Sequence, residues 1–411
     1  MEKKKNKEIK KPELLAPAGN FEKMLTAFHF GADAVYLGLK RFSLRNFAGN
    51  FSLEQLNEAV RIANELGKKV YVTLNIFPFD EDLEEIEAIL YELNNIKPHG
   101  LIVSDPAIFL LAKELTDIEL HISTQLNVMN TKTANFWFKQ GAKRIVIARE
   151  LNIDQIKNIC ANSNGEIEVF AHGALCIAYS GRCFLSLYMT GRSANRGECT
   201  QSCRWNYKLL EESERPGQYF PIEEDERGSY IFNSKDLCAI PVLDKLIDAG
   251  VASLKIEGRM KSMHYVAVTT DVYRTAIDLI FENKRDEFIA MKQDLVKELS
   301  RVSNRSFTTN FFEGTPDSSS YNFDDSRYIN QFAFVGSIVK KTRDFIEILL
   351  KNPLSVGDNV EFRDRGLKKE RVHIEELYLA RNNEKIDKGN PNTVVRVYGK
   401  FNCGVNSIVR K

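Results

Sequence analysis

Glu13–Gly38 reads ELLAPAGNFEKMLTAFHFGADAVYLG. Two short apolar runs, Glu13–Ala16 and Ala34–Leu39, bracket a segment with helical spacing that stops at Gly31, where a residue free to take positive φ ends a helix at little cost. Both runs are apolar on both faces, the pattern of parallel strands covered by helices rather than of half-solvated antiparallel ones. The turn after the first run, LAPAGN, lacks the G-x-G-x-x-G fingerprint of a dinucleotide-binding crossover, which counts against a doubly wound open sheet.

The same unit recurs downstream. Further strands are expected at Val70–Asn75, Leu101–Ser104, Leu120–Thr124, Ile145–Arg149, Ile167–Ala171 and Ser253–Glu257, separated by amphipathic stretches such as Leu53–Leu66 and Leu83–Leu93. Gly67, Gly141 and Gly250 punctuate them as Gly31 does. Strand–helix alternation over about 250 residues has the size and rhythm of an α/β fold of the TIM-like (β/α)8 barrel kind. The carboxyl ends of barrel strands face the active site. Here they carry Pro17–Asn20, Gly38, Asn75, Ser104–Asp105, Ser123–Gln125, Arg149–Glu150, His172–Gly173 and Glu257–Arg259. Loops are polar in any protein, but Gln125, Arg149, Glu150, His172, Glu257 and Arg259 together make a candidate catalytic pocket for a small polar or anionic ligand. Arginines converging there suit carboxylates through bidentate contacts.

Three segments depart from the repeat. Residues 172–250 far exceed an ordinary βα loop and read as a cysteine-rich insertion at the barrel mouth, with a strand Tyr230–Asn233 pairing with Lys208–Leu210. Helices follow at His264–Asn283, apolar on one side through Val266, Val268, Val272, Ala276 and Ile280, and at Asp286–Ser300, so that the barrel domain spans residues 12–302. Residues 303–327 read as a linker. Residues 328–411 are β in pattern: FAFVGSIV, DFIEILL, NVEFRD, VHIEELYLA and TVVRVYG point to a small antiparallel β-barrel. Residues 1–11 form a basic tail, read as solvated.

A formal net charge of +1 leaves no whole-molecule field to attract nucleic acid, so any such partner must be met by local patches. The N-terminus has no signal-peptide core, and no run approaches the roughly 20 apolar residues of a membrane span. The expectation is a cytoplasmic chain with no membrane partner. In a reducing compartment, clustered cysteines read as metal-binding or catalytic rather than as disulfides.

Cys176, Cys183, Cys199 and Cys203 fall in one window with spacing C-x6-C-x15-C-x3-C, and Cys238 follows. Only Cys199–Cys203 resembles a zinc knuckle, so the zinc reading is incomplete. An iron–sulfur cluster tolerates looser spacing if four thiolates converge. A catalytic thiol at Cys176 with His172 as base needs a third group to fix the base, and scattered buried cysteines are the bland alternative. Around the thiols stand Arg182, Arg192, Arg196, Arg204 and Lys208 with Phe184, Tyr188, Trp205 and Tyr207 interleaved. Cations among aromatics are what RNA loops meet, through phosphate contacts and base stacking; these arginines can equally offset thiolate charge.

EVFAHGALCIAYSGRCFLS resembles the signature of the collagenase-like peptidases of unknown catalytic type, family thirty-two of that group. ELLAPAGNFEKMLTAFHFGADAVYLG, HISTQLNV, NRGECTQSCRWNY, NSKDLC and SLKIEGRMKS resemble its other blocks, over Glu13 to about Asn310. The resemblance implies that the peptidase label misleads. Better-understood members are iron–sulfur proteins supporting hydroxylation of the tRNA wobble uridine to 5-hydroxyuridine, of a ribosomal RNA cytidine, or of ubiquinone precursors, the last by a pair of paralogous partners. Prephenate is implicated as co-substrate, and length and tail favour the tRNA-hydroxylating branch. By the same resemblance a 4Fe-4S cluster falls on Cys176, Cys183, Cys199 and Cys238, with Cys203 as the alternative fourth ligand. Peptide hydrolysis is the rival activity.

Overall fold

The computed structural model describes residues 9–43, 49–176, 179, 182–204, 224–225, 228–229, 235–316 and 332–411. Seven parallel strands follow in order: β1 (Glu13–Pro17), β2 (Ala34–Gly38), β3 (Lys69–Leu74), β4 (Gly100–Val103), β5 (Leu120–Ile122), β6 (Arg144–Val146) and β7 (Glu166–Gly173). The insertion adds β8 (Glu224–Asp225) and β9 (Gly228–Ser229), paired with each other, and β10 (Asp236–Cys238). The strand β11 (Ser253–Ile256) then pairs in parallel with both β7 and β1 and closes the ring of eight. The TIM-like barrel is thus present. Its strands are mostly buried, all five residues of β2 among them, because helices cover the outside.

The helices α1 (Phe21–His29), α2 (Leu53–Glu65), α3 (Asp80–Ile96), α4 (Pro106–Leu115), α5 (Thr131–Gln140) and α6 (Ile153–Asn162) alternate with these strands. Several begin on a side chain that accepts a backbone N–H, namely Asn20, Ser52, Asp105, Asn130 and Asn152. Asn20 and Asp105, two polar residues expected at the pocket, are therefore engaged as helix caps. In the insertion lie α7 (Leu185–Thr190) and, before β11, α8 (Leu243–Asp248).

The pair α9 (Met263–Phe281) and α10 (Arg285–Leu299) ends the barrel domain. The sequence pattern gives α9 one apolar side, yet every residue from Met263 to Tyr273 is buried. It packs on β1, α1 and α8 and also on α10, and Asp271 pairs with an arginine of the tail sheet, so it has no free face.

The stretch read as a linker differs too. Asn304 and Arg305 are buried, and β12 (Phe307–Thr308) pairs with β10, extending the barrel sheet before residues 317–327, which lie outside the described residues. The proposed pairing of Tyr230–Asn233 with Lys208–Leu210 also lies outside them.

The tail is an antiparallel sheet domain of β13 (Phe334–Lys341), β14 (Phe345–Leu350), β16 (Asn359–Asp364), β17 (Lys368–His373), β18 (Leu377–Leu379), β19 (Lys385–Ile386), β21 (Val394–Tyr398) and β22 (Ile408–Arg410). A separate pair is formed by β15 (Leu354–Ser355) and β20 (Lys388–Gly389). VHIEELYLA is not one strand: β17 ends at His373 and β18 starts at Leu377, with Ile374 buried between. Among the described residues no helix is long and apolar enough to cross a membrane.

Candidate functional site

A cavity of about 800 Å³ opens at the carboxyl ends of the barrel strands and descends between them. Asn75, Ser123, Thr124, Gln125, Arg149, Glu257 and Arg259 line it, as the strand-end reading expects. Glu150, Gly38 and Ser104 are not among the lining residues, and Glu150 has its pKa raised by burial. Gln125 is almost fully buried; its Oε1 accepts from Asn75 Nδ2 at 2.9 Å and from Ser104 Oγ at 2.8 Å, while its Nε2 has no hydrogen-bond partner. The arginines are tied down. Arg149 donates to the Ala174 carbonyl at 2.9 Å and stands 3.4 Å from Cys176 Sγ, and Arg259 Nη1 donates to Ser43 Oγ at 2.9 Å and Thr73 Oγ1 at 3.2 Å.

Lys255 was not singled out by the sequence reading. It too lines the cavity, and the signal was available: it is the one charged residue within SLKI, an otherwise barrel-type strand. The tail domain closes one wall through Phe332, Ala333, Phe334 and Asn352, beside His264 of α9.

Cys176, Cys183, Cys199 and Cys203 all line this cavity. Cys238 does not. It sits on β10, fully buried, with its Sγ 3.9 Å from Tyr273 Oη, and burial pushes its thiol up to about 11. His172 is its Cα partner across the β7–β10 pairing and is likewise outside the cavity. Strict alternation would put Phe170 and His172 on one side of β7, but the register with β11 slips by a residue between them, Lys255 facing Phe170 and Ile256 facing His172, so Phe170 lines the cavity while His172 turns away among the rings of Tyr265, Tyr273 and Phe307. Burial, assisted by the charge of Lys261, holds the His172 imidazole neutral, its pKa lowered to about 3. The candidate role of His172 as base for Cys176 is therefore withdrawn.

The arginine patch also separates. Arg196 is spent on the fold: it donates to both oxygens of Asp82 at 2.9 and 3.2 Å and lies over the Phe79 ring, docking the insertion on the start of α3. Arg182 and Arg192 are exposed, as are Phe184 (69%) and Tyr188 (85%), which lie between them in sequence. Trp205 and the side chain of Arg204 lie outside the described residues.

Residues 19–322 match the family described as Peptidase family U32. The chain belongs to that family. Among U32 relatives, "tRNA hydroxylation protein P1" of Bacillus subtilis is 42% identical over 356 residues, 86% of this chain and 83% of the relative. "23S rRNA 5-hydroxycytidine C2501 synthase" of Escherichia coli is 38% identical over 352 residues, covering 85% of this chain and 52% of the longer relative. "Collagenase" of Porphyromonas gingivalis is 36% identical over 314 residues, 74% and 73% of the two chains.

For an iron–sulfur group, the donor chemistry of this U32 cavity fits: four thiols face one space, Arg149 stands ready to offset thiolate charge, and Ser186 Oγ lies 3.9 Å from Cys199 Sγ. In the described arrangement no three potential ligands stand close enough together to hold a metal ion.

Proposed function

We propose that this chain is an RNA-modifying enzyme of the U32 family that supports hydroxylation of the tRNA wobble uridine to 5-hydroxyuridine. The observation that carries the reading is the convergence of Cys176, Cys183, Cys199 and Cys203 with Gln125, Arg149, Glu257 and Arg259 on one cavity at the barrel mouth. The relative named for tRNA hydroxylation is covered over most of its length, whereas half of the rRNA synthase has no counterpart here, which favours the tRNA substrate over another RNA base. Arg182 and Arg192, with exposed Phe184 and Tyr188, supply phosphate contacts and stacking faces at that mouth.

Cys176, Cys183 and Cys199 hold a 4Fe-4S cluster in this reading, with Cys238 or Cys203 as fourth ligand. Such a cluster supplies one-electron transfer when bound. The chain's own residues do the rest: Gln125 offers a buried amide donor, Arg149 braces the loop that carries Cys176, and Glu257 accepts from the Ala174 backbone at 3.3 Å. Prephenate is the proposed co-substrate of the cavity. Peptide hydrolysis, which the collagenase relative's name raises, is disfavoured because His172 lies outside the cavity that the four thiols of Cys176, Cys183, Cys199 and Cys203 line.

Nucleoside mass spectrometry of tRNA from a strain lacking this chain and any paralogue tests the assignment. Loss of 5-hydroxyuridine derivatives is expected; unchanged levels overturn it. Anaerobic purification with iron and sulfide assay should give about four of each per chain. Serine at Cys176, Cys183 or Cys199 should abolish that content, as should serine at one, and only one, of Cys203 and Cys238.

A further inference from the structure

The floor of the cavity holds a cation that the thiols and strand-end residues leave unexplained. Lys255 is 4% exposed in the middle of β11. Its Nζ lies 3.1 Å from Glu168 Oε1, 4.5 Å from the centroid of the Tyr36 ring and 5.4 Å from that of Phe170, its register partner on β7. Glu168 is held from behind, its Oε2 3.3 Å from Arg144 Nη1. Desolvation lowers the Lys255 pKa and the Glu168 charge opposes this, the balance of an ammonium kept in the interior by a fixed partner.

The charged lining is lopsided: Arg149, Lys255, Arg259 and Lys261 face Glu257. The arginines expected to take carboxylates are committed to Ala174, Cys176, Ser43 and Thr73. An ammonium has three N–H donors, and one direction is used by Glu168. The surrounding wall of Tyr36, Ile102 and Phe170 is apolar, and a cavity of about 800 Å³ is ample for a small molecule.

We propose that Lys255 is the anion anchor of this cavity and that its ligand is a small organic acid, the carboxylate on the ammonium and an unsaturated or ring body against Tyr36 and Phe170. The proposal rests on the cavity being the reactive site, and is independent of which RNA is modified. Glu168 and Arg144 act as positioning residues: they keep the ammonium charged and in place without touching the acid.

Binding of phenylpyruvate and of its uncharged amide to the full-length protein, followed by calorimetry or ligand-observed NMR, tests this, with prephenate measured alongside. The wild type is expected to prefer the acid. Lys255→Met combined with Glu168→Gln, which removes both charges so that no carboxylate is stranded, should weaken acid binding on the order of a hundredfold and leave the amide unchanged. Lys255→Arg should keep the preference, which covers the case in which the double variant fails to fold. Acid and amide binding alike in the wild type, or a folded double variant that still prefers the acid, would overturn the proposal. Wild-type binding of phenylpyruvate without prephenate supports the anchor while removing prephenate from the function proposed above.

Discussion

Arg144 answers to three carboxylates at once. Its Nε and Nη2 lie 2.9 and 2.7 Å from Glu166 Oε2, and its Nη1 lies 2.5 Å from Glu13 Oε1 and 3.3 Å from Glu168 Oε2. Tyr71 Oη adds a bond to Glu13 at 2.8 Å. Barrel interiors are usually filled with branched apolar layers; here a ladder of charges runs from Glu13 through Arg144 and Glu168 to Lys255. Removing one member of a buried ion pair strands the rest, at about 3–5 kcal/mol. Arg144→Met is expected to cost that much in urea unfolding. Arg144→Lys should recover little, since a single ammonium cannot reproduce the forked donors that reach Glu166 and Glu13 together. Recovery of wild-type stability by lysine would sink this account. The ladder was not legible as a unit, because its members come one or two per strand: Glu13, Arg144 and Glu166 each read alone as a solvated strand end, and the mid-strand charges of Glu168 and Lys255 do not name their partners. The strand-end pocket was legible for the opposite reason: Asn75, Gln125, Arg149, Glu257 and Arg259 all follow apolar runs whose carboxyl ends must share one face.

At the scale of elements, the close seat of Arg259 against β2 and β3 depends on a missing side chain. A Cβ on Gly38 would meet Arg259 Nη1 at 2.0 Å and Ser43 Oγ at 2.4 Å. Gly38→Ala should therefore push the guanidinium off Ser43 and Thr73, destabilise by about 1–3 kcal/mol as overpacking does, and lower tRNA modification. Thermal melting and nucleoside analysis check it; a variant that melts and modifies as the wild type shows that the site yields more easily than the geometry implies. Most barrel strands and helices were readable because burial on both faces and glycine stops leave strong local patterns. The outward turn of His172 was not, since it depends on a one-residue register slip between β7 and β11 that no local pattern announces. Nor was the pairing of β10 with β12, which joins two short segments about seventy residues apart, neither with a periodicity of its own.

The whole molecule is held together by charge buried between barrel and tail. Arg363 and Arg410 are fully buried; Arg363 donates to Asp271 at 2.9 Å and to Glu298 at 2.6 Å, and Arg410 to Glu298 at 2.8 Å and to Glu361 at 2.5 Å. Lys369 and Arg301 complete the shell of Glu298 at 2.5 and 2.8 Å. The same junction places Phe332 and Phe334 on the cavity wall, so its integrity bears on ligand binding. Burial alone would raise the Glu298 pKa, but Arg363 and Arg410 outweigh it and hold the carboxyl down at about 2. An unfolded glutamate titrates near 4.3. A depressed folded pKa contributes stability that is present above the unfolded value and disappears as pH falls from about 4 toward about 2. Asp271, whose pKa burial raises against the pull of Arg363, works in the opposite sense, so the wild-type slope alone does not isolate Glu298. Comparison with Glu298→Gln does. The variant should be markedly less stable near neutral pH, and the gap between the two proteins in urea should narrow as pH drops from about 4 to about 2. Amide exchange should quicken first in β16 and β22, the strands that carry Glu361, Arg363 and Arg410, ahead of the barrel strands. A gap that stays constant through that window would mean that Glu298 contributes shape rather than charge, and that the tail is held to the barrel by packing alone.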